Sequence, residues 1–514
     1  MKLERTKNSI NNAIWGFLNK AVMLLGPFIV RTVLIYKLSA DYAGLNSLFS
    51  SILSILSLSE LGFSNAIVYS MYKPIAEDDS KTVCALLRLY RKAYRIIGIV
   101  ILGVGFILTP FLRFMIKGSV PPDVNLYILY FIFLFNTVIS YFLFAYKTSL
   151  LSAHQREDVV SRNTMRVNAC LYVAQVLMLI FSRNFYLYAI TIPLSTIAIN
   201  IINSVTVDRM YHAYKPVGIV PDELKQEIKK QIYGLTIGKV AGATRNTFDS
   251  IVISAYFGLT MVTIYNNYYY IINALNDVFL IFLGSITAGV GNKIVTDSEE
   301  ENYRDFKKFF FIYMWLTIWC VSVLASLYQP FMKLWMGDKY MLPEISMILF
   351  CIYFFHLRLG DINYVYYQAA GLWWNGRYRE VVEAVLNITL NFILGKFFGV
   401  NGVILATLIS MWSIFFYSSG LVYKGYFKNE KVSDYLWSCL KFILTGAVSI
   451  TLCYIICKCI PNGSGAGIRI IFLFCKLIIS SAISFAVTFL ILRNDKIFPQ
   501  AKEFVVGILS RRKK

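Results

Sequence analysis

Long apolar runs recur along this sequence, and each is long enough to cross the roughly 30 Å hydrocarbon core of a bilayer. Apolar residues make up 57% of the chain and charged residues only 15%, whereas soluble domains carry about 25% charged residues. The sequence therefore predicts an all-α integral membrane protein. We predict about fourteen spans, at residues 11–36, 44–71, 93–115, 126–151, 165–181, 186–207, 232–257, 260–294, 309–327, 342–369, 381–398, 401–422, 436–460 and 468–492.

The positive charge of the chain lies mostly in the segments between these runs. The net charge is +21, which by itself would be compatible with a nucleic-acid partner. Lys and Arg are, however, concentrated in connecting segments, as in the cytoplasmic loops of membrane proteins. We therefore expect no nucleic-acid partner. An even number of spans and two basic ends predict that both termini are cytoplasmic.

No catalytic or metal-binding pattern is visible in the sequence. The 9 cysteines and 3 histidines lack the spacing of metal ligands or of a nucleophile with its base. No Gly-rich phosphate loop follows a strand, and the predicted outside loops are short. We expect a protein that is not an enzyme and that needs no metal or cofactor.

Two halves of the sequence resemble one another in their charge pattern. Residues 14–17 and 232–235 read IWGF and IYGL, and a lysine follows each, Lys20 and Lys239. The next span of each half carries one acid, Glu60 and Asp277, so that all three matches have an offset of about 218 residues. Internal repeats build transporters with a central site between two lobes.

This repeat predicts the domain organisation. We expect two pseudo-repeated lobes of about six helices each, at residues 1–231 and 232–425. Two additional helices and a basic cytoplasmic tail would follow at residues 426–514.

Several charged residues fall inside predicted spans, where an uncompensated charge costs a few kcal/mol or more. Folding the first hairpin brings Lys20 and Glu60 to equal depth, and we predict that they pair. Folding the seventh and eighth spans in the same way brings Lys239 and Asp277 to equal depth, and we predict that they pair. The alternative is that such pairs only lock helices together.

Two further sets of opposite charges lie within one helical turn. Arg245 precedes Asp249 by four residues, and Arg358 precedes Asp361 by three. Residues at these spacings face each other on a helix, so the sequence predicts a direct ion pair in each case.

Arg31 has no evident acid partner in the sequence. It lies on the same face of the first span as Lys20, about 16 Å further along the helix, and Pro27 would loosen the helix between them. This cationic stripe predicts a path for an anionic group. The predicted substrate-binding residues of a central cavity are Lys20, Arg31, Glu60, Lys239, Arg245, Asp249, Asn273 and Asp277.

Four stretches of the sequence resemble a known family. They are residues 42–79, 284–292 (GSITAGVGN), 334–342 (LWMGDKYML) and 366–402. They are similar to the Wzx-type polysaccharide flippases of bacteria, which belong to the multidrug/oligosaccharidyl-lipid/polysaccharide (MOP) superfamily. The resemblance implies a MATE-like fold in a bacterial cell membrane, with about fourteen helices. It also implies that the protein flips undecaprenyl-pyrophosphate-linked oligosaccharide repeat units to the outer leaflet by alternating access, for capsule or exopolysaccharide assembly.

The resemblance also implies partners and site residues. The substrate lipid and membrane lipids would bind, with glycosyltransferases and the polymerase of the same pathway as further candidates. Coupling to the membrane potential, Na⁺ or H⁺ is left open. The family's cationic central cavity matches Lys20, Arg31, Lys239 and Arg245 by position, and residues 436–492 correspond to the lipid-tail groove of related lipid II flippases.

Three other functions fit parts of the sequence. A lipid II or teichoic-acid precursor flippase and a multidrug antiporter would share the fold. A membrane-bound polysaccharide polymerase ranks below them, because the short outside loops leave no room for its active site.

Overall fold

The structure is a computed structural model that describes residues 5–60, 62–372, 375–461, 463 and 465–511. Of residues 5–7, 9–10, 58–59, 233–246, 288, 508–509 and 511 it describes the backbone alone. The chain forms two compact units, Met1–Thr263 (unit 1) and Ile264–Lys514 (unit 2). The regular structure of the described residues is entirely helical, which confirms the all-α part of the predicted fold class.

Unit 1 contains nine helices and the beginning of a tenth within the described residues. Short 3₁₀ turns follow three of these helices, at Ser57–Glu60, Thr109–Met115 and Ala145–Lys147. The helices are α1 (Arg5–Lys37), α2 (Ala40–Leu56), α3 (Phe63–Ala76), α4 (Ser80–Leu108), α5 (Leu126–Phe142), α6 (Thr148–Ala153), α7 (Glu157–Phe181), α8 (Phe185–Met210), α9 (Asp222–Phe257) and the start of α10 (Leu259–Thr296).

Unit 2 takes up the rest of α10 and the remaining helices. These are α11 (Glu299–Met336), α12 (Glu344–Leu359), α13 (Asp361–Ala369), α14 (Arg379–Gly425), α15 (Val432–Cys459), α16 (Ala466–Leu492) and α17 (Phe498–Arg511). A 3₁₀ turn at Asp338–Tyr340 follows α11.

Ten helices of the described chain are long and apolar enough to cross a membrane. The number becomes eleven if the bent pair Leu126–Phe142 and Ala145–Ala153 counts as one span. By the length and composition of these helices, the chain is a multi-pass membrane protein. The layout of fourteen helices in two lobes stays a prediction.

The predicted second span, residues 44–71, is broken in the structure. It is divided into α2, the 3₁₀ turn Ser57–Glu60 and α3. Gly62 precedes α3 with a φ of 89°, a left-handed conformation that glycine adopts readily and other residues do not. Because the break is short and lies between two apolar helices, a count of apolar residues over the whole span does not detect it.

Two predicted spans are joined in α14, which runs over 47 residues. Gly399, with φ 63° and ψ −145°, interrupts it. Asn387 and Thr407 are 20 residues apart and hydrogen-bond at 3.1 Å, although a straight helix would separate them by about 30 Å. The chain therefore reverses at Gly399, as the predicted boundary between residues 398 and 401 requires.

Close helix packing in unit 1 depends on glycines. A Cβ atom at Gly26 of α1 would lie 2.0 Å from the ring of Tyr172 on α7. One at Gly44 of α2 would lie 2.2 Å from the carbonyl oxygen of Leu259, the first residue of α10. Small residues let helix backbones approach closely in membranes, so both contacts require glycine.

Unit 2 is built around α11, which packs against α12, α15 and α16. In the most apolar stretch of α11, 67% of the residues are buried. Polar side chains connect the helices: Ser322 lies 2.9 Å from Ser449 of α15, and Trp319 donates to Ser481 of α16 at 3.0 Å. The last two predicted spans thus pack on α11 within unit 2.

Candidate functional site

Arg31 of α1 is held in a defined orientation inside unit 1. Its guanidinium donates from Nη1 to the Ser47 hydroxyl at 3.1 Å and from Nη2 to the Thr263 carbonyl oxygen at 3.2 Å. The arginine is half-buried. Because α2 and the start of α10 each provide one of these oxygens, the planar guanidinium is fixed by three helices.

The same three helices are joined by further polar contacts. The Thr263 hydroxyl donates to the Ala40 carbonyl oxygen at 2.5 Å, and the Thr260 hydroxyl donates to the carboxylate of Asp41. Together with the close approach of Gly44 to Leu259, these contacts fix the start of α10 against the start of α2. The surroundings of Arg31 are therefore preorganised.

Lys20 precedes Arg31 on α1 and is exposed. The two residues share one continuous helix, and their spacing in sequence places them about 16 Å apart along its axis. The structure therefore keeps both cations on α1 without bringing them into contact.

Glu60 lies at the 3₁₀ turn that breaks the second predicted span. Its carboxylate accepts a hydrogen bond from the Tyr94 hydroxyl and another from the Tyr141 hydroxyl, the latter at 2.8 Å. Tyr90, one turn before Tyr94, donates to the Tyr94 hydroxyl at 2.7 Å. The pairing of Glu60 with Lys20 stays a prediction.

The tyrosine partners of Glu60 were missed in the sequence analysis. Tyr94 lies on α4 and Tyr141 on α5, and both are far from Glu60 in the chain. The only local signal was the spacing of Tyr90 and Tyr94, which places both rings on one face of α4.

The predicted site residues of the seventh span are only partly described. The side chains of Lys239 and Arg245 lie outside the described residues, so their pairing with Asp277 and Asp249 stays a prediction. Asp249 itself is fully buried in α9, with 0% of its surface exposed.

Two predicted site residues lie on α10 in unit 2. Asn273 and Asp277 are both exposed and are separated by one helical turn. Residues four apart occupy one helix face, so the structure places both residues on the same face of α10.

Arg358 forms an enclosed charged cluster in unit 2. Its guanidinium lies 3.0 Å from the carboxylate of Asp361, which confirms the predicted pair. It also donates to Asn276 Oδ1 at 2.6 Å and to the Tyr313 hydroxyl at 3.2 Å. The Tyr313 hydroxyl in turn donates to Asp361 Oδ2 at 2.5 Å.

Aromatic rings complete the enclosure of this cluster. Arg358 is only 2% exposed, and its guanidinium carbon lies 5.4 Å from the ring centroid of Phe279 and 5.3 Å from that of Phe354. Such cation–π contacts gain strength where water is excluded. The arrangement joins α10, α11, α12 and α13, and it leaves almost no surface for a ligand.

Comparison with known proteins gives matches in structure and none in sequence. No protein-family model and no curated protein matches the chain. The lipid II flippase MurJ, in an inward closed conformation, matches with a TM-score of 0.65 and 15% identity over 94% of this chain and 99% of MurJ.

Transporters of the MOP superfamily match as well. An inward-facing multidrug resistance MATE family transporter gives a TM-score of 0.61 at 12% identity, covering 79% of this chain and 98% of its own. A MOP superfamily transporter from Pyrococcus furiosus gives 0.55 at 13% identity, covering 81% and 95%. This chain thus has the fold that MurJ and the MATE transporters of the MOP superfamily share.

Proposed function

We propose that this protein flips undecaprenyl-pyrophosphate-linked oligosaccharide repeat units across a bacterial cell membrane, from the inner to the outer leaflet. The observation that carries the proposal is Arg31, a half-buried arginine of a spanning helix whose guanidinium is oriented by Ser47 and Thr263. The similarity to a structure described as a lipid II flippase supports a lipid-linked substrate.

The chemistry of a pyrophosphate suits such an arginine. A guanidinium presents a planar fork that holds two phosphate oxygens at once, whereas a lysine offers a point charge. A charge inside a membrane is costly unless it meets a partner or water. A passing pyrophosphate would be a further partner for Arg31, beside Ser47 and Thr263.

The other predicted site residues take supporting roles in this proposal. Lys20, Lys239 and Arg245 would extend the cationic path along which the anionic group moves. Glu60, Asp249 and Asp277 would balance these cations when no substrate is present, and Asn273 would hydrogen-bond sugar hydroxyls.

A deletion strain tests the substrate. If the proposal is right, cells that lack the gene lose surface polysaccharide and accumulate lipid-linked repeat units that an impermeant glycosidase reaches only in inverted membrane vesicles. Expression of the full chain from a plasmid should restore both phenotypes. Normal surface polysaccharide in the deletion strain, in the absence of a second transporter of this fold, would refute the proposal.

A lipid II flippase is the second candidate, because MurJ matches over 94% of this chain. In that case depletion of the protein should arrest peptidoglycan synthesis and lyse the cells, with lipid II accumulating in the inner leaflet. A multidrug antiporter would instead change drug susceptibility and leave both lipid-linked pools unchanged.

A further inference from the structure

One face of α4 in unit 1 is exposed and changes along the helix from basic to apolar. Arg88, Lys92 and Arg95, here called the basic stripe, are exposed, and their spacings of four and three residues place them on one helix face. The same face continues directly with Ile96 and Ile99, which are 53% and 60% exposed. One helix surface therefore joins a set of cations to an apolar track.

The opposite face of α4 is fixed inside unit 1. Val83, Leu87, Tyr90 and Tyr94 are buried and repeat at the same helical spacing, and α4 packs on α3 and α5. Because this buried face sets the rotation of the helix, the basic stripe and the exposed apolar residues after it point away from the rest of unit 1.

The basic stripe is not neutralised by neighbouring carboxylates. Within the part of the chain that the structure describes, no ion pair involves any of its three cations. Arg88 donates to the Gly218 carbonyl oxygen at 3.0 Å, which is a neutral acceptor. In the 3₁₀ turn that packs on α4, the carboxylate of Asp208 is already paired with Lys147 at 2.6 Å. The stripe thus carries positive charge that an external anion can reach.

The change from basic to apolar residues marks the edge of the hydrocarbon. The helix and the 3₁₀ turn that follows it are long and apolar enough to cross a membrane, so the exposed apolar residues face lipid tails. At 1.5 Å per residue, Arg95 and Lys92 lie about 2 and 6 Å beyond Ile96. The headgroup layer is about 5–8 Å thick on each side of the bilayer. Both cations therefore lie within it, and Arg88, at about 12 Å, lies just outside.

We propose that the basic stripe binds the phosphate group of an anionic phospholipid, whose acyl chain lies along the exposed apolar face of α4. Arg95 holds two phosphate oxygens through its planar fork, and Lys92, one turn away, adds a point charge. Arg88 strengthens the attraction from outside the headgroup layer. Ile96 and Ile99 contact the first carbons of the chain.

The charge and the position of the stripe select this occupant. A zwitterionic lipid offers a phosphate whose charge is cancelled by its own amine, so it gains less from two cations. A soluble anion would make no use of the apolar track that continues from Arg95. The site lies in unit 1 alone and goes beyond the proposed function, because it holds whatever substrate the protein transports.

Photocrosslinking from the position of Ile96 tests the proposal. The full chain carries p-benzoylphenylalanine in place of Ile96 and is reconstituted in nanodiscs with equal amounts of phosphatidylglycerol and phosphatidylcholine. Mass spectrometry then counts the two lipid adducts. Since one cation near an acidic headgroup is worth about a fivefold change in affinity, phosphatidylglycerol adducts should exceed phosphatidylcholine adducts at least about fivefold. Lys92→Gln should reduce this ratio about fivefold, and Lys92→Gln/Arg95→Gln should bring it close to one.

The control removes the same two charges elsewhere on the α3–α4 hairpin. Lys73→Gln/Lys81→Gln changes exposed lysines, and Lys81 lies on the same face of α4 but about 22 Å beyond Ile96, so the lipid preference should be unchanged. Phosphatidylcholine adducts report in every variant that α4 is still folded and faces lipid. Equal yields of both lipids without substitution in the stripe would overturn the proposal. A preference that survives Lys92→Gln/Arg95→Gln, or crosslinks to protein instead of lipid, would do the same.

Discussion

Arg31 and Arg358 are both arginines within spanning helices, but their surroundings differ. Arg358 of unit 2 is 2% exposed and lies 3.0 Å from the carboxylate of Asp361, next to the rings of Phe279 and Phe354. Arg31 of unit 1 is half-buried, and two of its hydrogen bonds go to a hydroxyl and a carbonyl oxygen. One arginine is almost fully buried beside a carboxylate, and the other is oriented by its hydrogen bonds and half-buried.

A charge inside a membrane therefore does not by itself indicate a binding site. An enclosed ion pair costs desolvation and holds helices in register, whereas an accessible oriented cation can exchange its environment for a ligand. The exposure of the residue distinguishes the two arginines here, and the role of each can be tested by substitution.

The largest effect is expected at the enclosed pair. Arg358→Met leaves the half-buried Asp361 without its cation, which should cost up to about 3–5 kcal/mol of stability. The double variant Arg358→Met/Asp361→Leu should recover most of this loss, because it removes both charges. Apparent melting temperatures of the purified protein in detergent, arranged as a double-mutant cycle, measure the coupling.

Lys458→Met is the control for this cycle. It removes one partner of an exposed pair and should cost less than about 1 kcal/mol. If the double variant is no more stable than Arg358→Met alone, the pair is not what stabilises this part of unit 2, and the contrast with Arg31 fails.

Arg31→Ala should act on transport and much less on stability. A lost charge-assisted contact is worth about 1.5–3 kcal/mol, so export of surface polysaccharide should fall roughly ten- to a hundredfold at an unchanged protein level. Arg31→Lys should restore only part of the export. Lys37→Ala, on the exposed last turn of the same helix, provides the control, and normal export by Arg31→Ala would show that this arginine is a headgroup anchor.

Gly44→Ala tests the helix contact beside Arg31. The added Cβ would lie 2.2 Å from the Leu259 carbonyl oxygen, and a backbone oxygen moves less easily than a side chain. Overpacking of this kind costs about 1–3 kcal/mol, measured as a lower melting temperature together with weaker export. Gly103→Ala on α4, where a Cβ would meet nothing within 4 Å, should be neutral or slightly stabilising, and equal effects of the two changes would contradict the packing argument.

Ser47→Ala should have the smallest effect. It removes a neutral partner of Arg31 worth about 0.5–1.5 kcal/mol, which corresponds to a two- to tenfold decrease in export. Ser47→Thr keeps the hydroxyl and should restore export, while Ser50→Ala on the exposed face of α2 should not affect it. An unchanged rate with Ser47→Ala would mean that the orientation of Arg31 does not depend on this bond.

Local patterns in the sequence predicted the parts of the fold that depend on neighbouring residues. Apolar runs predicted an all-α membrane protein, and the three-residue spacing of Arg358 and Asp361 predicted their ion pair. The start of the eighth span at residue 260 agrees with Leu259, because Gly258 ends the preceding helix with a φ of 85°. These features are set within a few residues of the chain.

Features that depend on distant residues were not predicted. The partners of Arg31 are 16 and 232 residues away, and those of Glu60 are 34 and 81 residues away. The break after α2 was missed because the 3₁₀ turn is only four residues long and apolar runs flank it on both sides. The substrate-binding set and the lobe boundaries stay predictions.

The reversal at Gly399 limits how a chain of this kind can change in length during evolution. Because a single non-helical residue joins the two halves of α14, no loop is present to absorb an insertion or deletion. One residue added between Asn387 and Gly399 would turn one half by about 100° relative to the other. It would also separate Asn387 from Thr407 and rotate a buried polar face toward lipid. Length variation among homologues should therefore be confined to segments such as residues 426–431, outside the hairpin.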